Sequence, residues 1–211
     1  MLVYMKVFLL LVAIGFTLAG DLSAQTVVRS APAPAVSAPI TVEGIVIKPD
    51  AKILEDRTFV TKITAALYLL KTKSPEDLKL VQSYIGIIRA WPASGANFNE
   101  EIMTIDIGKQ TFDASLEWLT SVLVHETTHI KKYKDSGKKF GDAHLMTDKK
   151  AAFKVMVDEE LECNRAQLVT LGKIGGTKFE IDYLKAQKGD HFDIDKDGDY
   201  DMDDYKGRSW E

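Results

Sequence analysis

His125, Glu126 and His129 stand in the order H-E-x-x-H within residues 115–133, SLEWLTSVLVHETTHIKKY. Two histidines four residues apart on a helix lie on one face, one turn from each other. Imidazole nitrogens at that spacing can both reach one Zn²⁺ at roughly 2.0–2.1 Å. Glu126 sits beside the first histidine, where its carboxylate can take a proton from a water activated by the metal. Metal ligands and base would thus be delivered by one and a half helical turns.

A helix is required to hold them, and the apolar spacing predicts one without the motif. Leu116, Leu119, Leu123 and Ile130 form one stripe; Trp118, Val122, His125, His129 and Tyr133 form an adjacent one. Asp113 is the expected N-cap and Glu117 falls in the first turn, while Lys131, Lys132 and Lys134 crowd the end that favours cations. Both histidines therefore face a core or a cleft.

Two histidines do not complete a catalytic zinc site, which ordinarily has three protein ligands and a water. The pattern H-E-x-x-H-x-x-G-x-x-H is excluded, because Lys132 takes the glycine position and Asp135 the last histidine position. Downstream, Glu160-Leu-Glu-Cys163-Asn164 resembles the E-x-x-A-D segment of gluzincin zinc metallopeptidases, with Cys for Ala and Asn for Asp. The resemblance covers roughly residues 84–171 and is nearest to the compact minigluzincins. It implies peptide-bond hydrolysis, one catalytic Zn²⁺ and Glu160 as third ligand. The angular position agrees: Phe153, Met156, Val157, Asn164, Leu168 and Leu171 outline an apolar stripe with Glu160 in its middle, whereas Glu159 and Glu162 fall outside it. A carboxylate in such a stripe is costly unless paired or metal-bound. Asn164 would then support a ligating histidine. The family's transition-state stabiliser, a His or Tyr, matches no motif here; Tyr183, His144 and Tyr133 are the candidates. Cys163, the single cysteine, excludes an intramolecular disulfide and is expected to be a small packing residue.

The rest of the chain supplies the frame. Residues 1–24 read as a signal peptide, with Lys6 ahead of an apolar run and cleavage after Leu22-Ser-Ala24 or near Ala19-Gly20; an uncleaved anchor is the alternative. Residues 25–40 are an Ala/Pro-rich tether or a short propeptide. Residues 41–189 form the metallopeptidase domain. A strand is expected over 41–48, and a helix capped by Asp50 reaches Lys71 with Ile53, Val60, Ile63, Leu67 and Leu70 on one face. Ser74-Pro75 starts a short helix, 84–91 is a strand, and 101–108 alternates as a strand, either an ordinary member of the sheet or one at the rim of the cleft whose exposed edge would pair with an extended peptide. A long helix is expected from Thr147 to Gly172 and a shorter one over 179–188. The fold class is α+β, with a small antiparallel or mixed sheet packed on the H-E-x-x-H helix and a second, glutamate-bearing helix.

Residues 190–211 form an acidic tail with calcium spacing. Asp193, Asp195, Asp197, Gly198, Asp199 and Asp204 occupy positions 1, 3, 5, 6, 7 and 12 of an EF-hand-type loop, with Gly at the sharp turn. Asp at position 12 resembles dockerin loops more than sensor EF-hands. A dockerin carries two loops and this chain one, which argues against a cohesin-like partner. One Ca²⁺ is implied beside the zinc.

The net charge of −4 gives no field for nucleic acid. The expectation is an exported protein, secreted, periplasmic or at the cell surface, with no stable membrane insertion after signal cleavage. Its partner would be a peptide or protein substrate, hydrolysed with Glu126 as general base. The alternative is a non-catalytic, metal-stabilised extracellular binding module, against which Glu126 speaks, because a structural site needs no base.

Overall fold

Five short strands make one mixed sheet in the order β1-β2-β3-β5-β4, and six helices accompany it among the described residues. The structure is a computed structural model and describes residues 40–98, 101–137 and 146–199. The expected signal peptide, most of the tether, His144 and Asp204 lie outside the described residues. Strand β1 (Ile40–Val42) and β2 (Ile45–Lys48) pair antiparallel; β2 runs parallel to β3 (Ile87–Ala90), and β3 parallel to β5 (Thr104–Ile107). Strand β4 (Gly95–Asn97) closes the far side, antiparallel to β5. Helices α1 (Asp56–Lys73) and α2 (Pro75–Tyr84) connect β2 to β3. After β5 come α3 (Lys109–Asp113), α4 (Leu116–Asp135), α5 (Lys149–Ile174) and α6 (Lys178–Ala186). The coarse expectation of an α+β domain holds, and the sheet is the mixed one.

The core explains why α4 sits where it does. Phe59, Ile63, Leu67 and Leu70 of α1 meet Leu119, Leu123 and Ile130 of α4 and the sheet residues Ile45, Ile47, Ile88, Ile105 and Ile107, all buried. Truncating such a side chain costs about 2–5 kcal/mol, so the first of the two stripes on α4 is what holds that helix. The second stripe is left to face elsewhere. Among the described residues no helix is long and apolar enough to cross a membrane.

Several local expectations are corrected. The strand expected over 41–48 is a hairpin, turned at Glu43 and Gly44, both in the left-handed region (φ 50° and 83°). Asp50 accepts from the amide of Lys52, and α1 is capped by Glu55, whose carboxylate accepts from Arg57 and Thr58 amides. Tyr84 ends α2 and does not open β3. The segment 101–108 is no edge: β5 lies between β3 and β4, and all four of its residues are buried. Thr104 and Asp106, on the opposite face from Ile105 and Ile107, are buried as well, and Asp106 pairs with Arg89 of β3 at 2.8 Å and accepts from Asn97 of β4. The strand at that margin is β4.

Helix α4 begins at Ser115, whose hydroxyl accepts from the amide of Trp118 at 2.9 Å; Asp113 belongs to α3. Helix α5 starts from Asp148 and runs to Ile174, past Gly172, stopping at Gly175 in the left-handed conformation (φ 95°). Helix α6 starts from Thr177 in a reciprocal cap with Glu180. The Glu180 carboxylate also accepts from the Ser115 hydroxyl, so one buried acid joins the starts of α4 and α6.

Burial works against the charge on Glu180, but the bonds from Ser115 and Thr177 outweigh it and lower its pKa. A carboxylate with a lowered folded pKa stabilises above its unfolded value, near 4.3, and that contribution is lost as the pH falls through the folded value. Glu180→Ala is therefore expected to destabilise the chain by about 0.5–2 kcal/mol at neutral pH, with the deficit shrinking in acid. Urea unfolding of both chains at pH 7 and in acid, below the folded pKa, checks this. An equal deficit at both pH values would contradict it.

Candidate metal centre

The second stripe of α4 carries His125 and His129 towards α5. Their helix is tightened by Thr127 and Thr128, whose hydroxyls donate to the carbonyls of Leu123 (2.6 Å) and Val124 (2.8 Å). The buried residues of α5 are Ala152, Cys163, Gln167, Thr170, Leu171 and Ile174; Gln167 donates to Ser121 of α4 at 3.2 Å, and Thr170 donates to Asp77 of α2 at 2.9 Å. Glu159 and Glu160 lie on the same helix.

Four donor atoms converge. The Nε2 atoms of His125 and His129 are 3.1 Å apart, and each lies 3.4 Å from an oxygen of Glu160, Oε2 and Oε1 respectively. Donors set tetrahedrally around one zinc stand roughly 3.3 Å apart. Glu160 is only 13% exposed at its side chain, and its Oε2 is buried without a hydrogen-bond donor. Such an oxygen is costly unless a cation meets it. Two imidazoles and one carboxylate suit zinc by donor chemistry as well as by spacing.

Comparison of the chain with protein-family models, with curated proteins and with solved structures returned no match.

Two further side chains enter the cluster, and the sequence reading had set both aside. Glu159, placed by that reading on a solvated face, brings Oε1 to 2.7 Å from Nδ1 of His129 and is nearly buried. It fixes the ring so that Nε2 points at the shared centre, the role expected of Asn164. Asn164 is half-buried and makes no such bond. Cys163, expected to be packing, is buried but also presents Sγ within the 4.8 Å that encloses one ring nitrogen each of His125 and His129.

The titratable groups of the cluster shift one another. Burial disfavours the imidazolium of His129, yet bonds with Cys163, Glu159 and Glu160 raise its pKa well above the ordinary value. Burial would raise the Glu160 pKa, but the His125 and His129 rings beside its carboxylate hold it below the usual carboxylate range. At Glu159 and Cys163 burial prevails and both pKa values rise.

On its open side the cluster meets a cleft of about 700 Å³. His125 and Glu126 line it together, with Trp118, Phe179, Tyr183 and His191 opposite and alongside. Of the expected auxiliary residues, Tyr183 is thus in the cleft, its ring 5.7 Å from that of Trp118. Tyr133 is elsewhere, packed on Phe98 at 4.8 Å. His191 was missed, because in the sequence it reads only as the start of the acidic tail. Its Nδ1 is 3.9 Å from Oε2 of Glu160 and its side chain is 64% exposed to the cleft.

Proposed function

We propose that the chain is a zinc-dependent peptide hydrolase of gluzincin type. The observation that carries the reading is the convergence of His125, His129 and Glu160, with His125 and the neighbouring Glu126 lining an open cleft. His125 and His129 offer Nε2 and Glu160 its carboxylate, while Glu159 holds the His129 ring in place. A zinc ion there supplies Lewis acidity towards a water and a scissile carbonyl. Glu126 takes a proton from the attacking water and returns it to the leaving amine. His191 and Tyr183 stand at the cleft with groups able to donate a hydrogen bond to a developing oxyanion.

The surroundings favour an extended peptide. Strand β4 ends the sheet and offers main-chain groups to a pairing strand, with Ser94, next to β4, on the cleft wall. Trp118, Phe179 and Tyr183 form an aromatic wall suited to an apolar side chain. Residues 1–24 support export.

A second reading rests on Cys163. With two histidines, one glutamate and this thiol all bound, the tetrahedron would be closed, as in structural sites, and no position would remain for water. Purified chain loaded with zinc is expected to cleave members of a mixed peptide library, to stop on chelation and to resume on zinc readdition, with products read by mass spectrometry. A chain that holds zinc and leaves the library intact overturns the hydrolase reading in favour of the closed site.

A further inference from the structure

The loop at Asp193–Asp199 is built for a cation and is joined to the metal cluster by the residues just before it. Ligand oxygens of Asp193, Asp195 and Asp197 lie within 4.8 Å of one another. Asp195 and Asp197 are exposed, but Asp193 is only 4% exposed, and its Oδ1 is buried with no hydrogen-bond partner. A buried carboxylate oxygen left unpaired costs free energy unless a cation meets it. Gly198, in the left-handed conformation (φ 81°), turns the chain and donates its amide to Oδ2 of Asp193 at 3.3 Å. The clustered carboxylates of Asp193, Asp195 and Asp197 are the oxygen donors that a hard divalent cation takes.

The same stretch is seated on α5 at Glu160. Gly189 has φ 76°, and a Cβ there would meet the Val157 carbonyl oxygen at 2.9 Å and Glu160 Cβ at 3.2 Å. Two residues on, His191 reaches Glu160. Phe192 is buried with its ring 5.5 Å from Phe153 of α5. Asp193 follows directly. The residue that covers Glu160 and the residue that begins the acidic loop are thus two positions apart on one segment pinned to one helix.

We infer that the Asp193–Asp199 loop binds Ca²⁺, and that calcium fastens the Gly189–Asp193 segment on α5, so that His191 is held at the His125–His129–Glu160 cluster. The coupling to zinc rests on the metal reading of that cluster; the calcium site does not. Linkage makes the effect reciprocal: if calcium favours the geometry that binds zinc, zinc favours calcium by the same factor.

The test uses the full chain and CaCl₂ alone at first. Several millimolar calcium is expected to raise the Tm and to slow amide exchange across residues 189–193 in the zinc-free protein. Asp193→Asn should abolish both effects. The exposed pair Asp195→Asn with Asp197→Asn should do the same without disturbing a buried side chain. Calcium should also tighten zinc binding, measured against a chromogenic chelator, by about fivefold or more. Absence of a Tm shift overturns the calcium site. A Tm shift with unchanged exchange at 189–193 and unchanged zinc affinity overturns the coupling. A chain that binds both metals cooperatively but cuts no peptide refutes the hydrolase and leaves this inference standing. A chain that takes no zinc refutes the reading of the cluster, and the exchange measurement still decides the fastening by calcium.

Discussion

Glu126→Ala is expected to lower kcat for peptide cleavage by about 10²–10⁴-fold, the range for removal of a positioned general base. Zinc content should stay at the wild-type level, since Glu126 is not among the converging donors. Stability should hold as well, because the side chain is half-buried at the cleft and alanine is the better helix former. The three readouts together separate a base from a ligand: a lost ligand would take zinc with it, and a lost structural residue would lower Tm. Full turnover by zinc-loaded Glu126→Ala would remove the mechanism. KM should change little, because the carboxylate acts on the water and the leaving group and not on substrate binding.

The α4 half of the site was legible from sequence because two independent patterns coincide there. Leu116, Leu119, Leu123 and Ile130 fix which side of the helix faces the core, and the histidines must then lie on the neighbouring side. The α5 half was legible only in part. The stripe outlined by Phe153, Met156, Val157, Asn164, Leu168 and Leu171 is rotated by about one residue from the seam that meets α4. Part of that stripe is covered by the Gly189–Phe192 segment, which meets Val157 and Phe153, and nothing in the sequence announces that the start of the calcium-spaced acidic tail folds back on α5. The seam with α4 carries Cys163 and Gln167, residues that periodicity does not count. Glu160 lies close enough to both stripes to be found either way, whereas Glu159 appears only when the seam is drawn correctly.

The sheet shows the same limit. Strand β4, Gly-Ala-Asn, has neither alternation nor β-branched residues and could not be read as a strand. Once it is present, β5 is no longer an edge, and the polar positions that alternation sends to solvent are buried beside Arg89 and Asn97. The hairpin between β1 and β2 was hidden because its turn places Glu43, an uncommon residue for φ above zero, before Gly44.

Glu160→Gln is expected to abolish zinc retention, while Cys163→Ala retains zinc and cleaves peptide. The distances argue for this order. Both oxygens of Glu160 stand 3.4 Å from a ring nitrogen, one for each histidine, so a single carboxylate spans the pair. Charge argues the same way: Glu159 and Glu160 already place two carboxylates around the cluster, and each opposes ionisation of the Cys163 thiol, which only as a thiolate would bind metal well. Gln keeps the volume and one acceptor oxygen of Glu160 but removes the negative charge, so lost zinc can be assigned to lost ligation once an unchanged fold is confirmed by circular dichroism. Glu159→Gln should lie between the two, with zinc affinity about 10–100-fold weaker, as for partners that orient a ligating histidine. Metal content after dialysis, followed by chelator competition, ranks the three variants. Zinc lost from Cys163→Ala but kept by Glu160→Gln would make the site thiolate-bound, and the case for a glutamate-ligated hydrolase would end there.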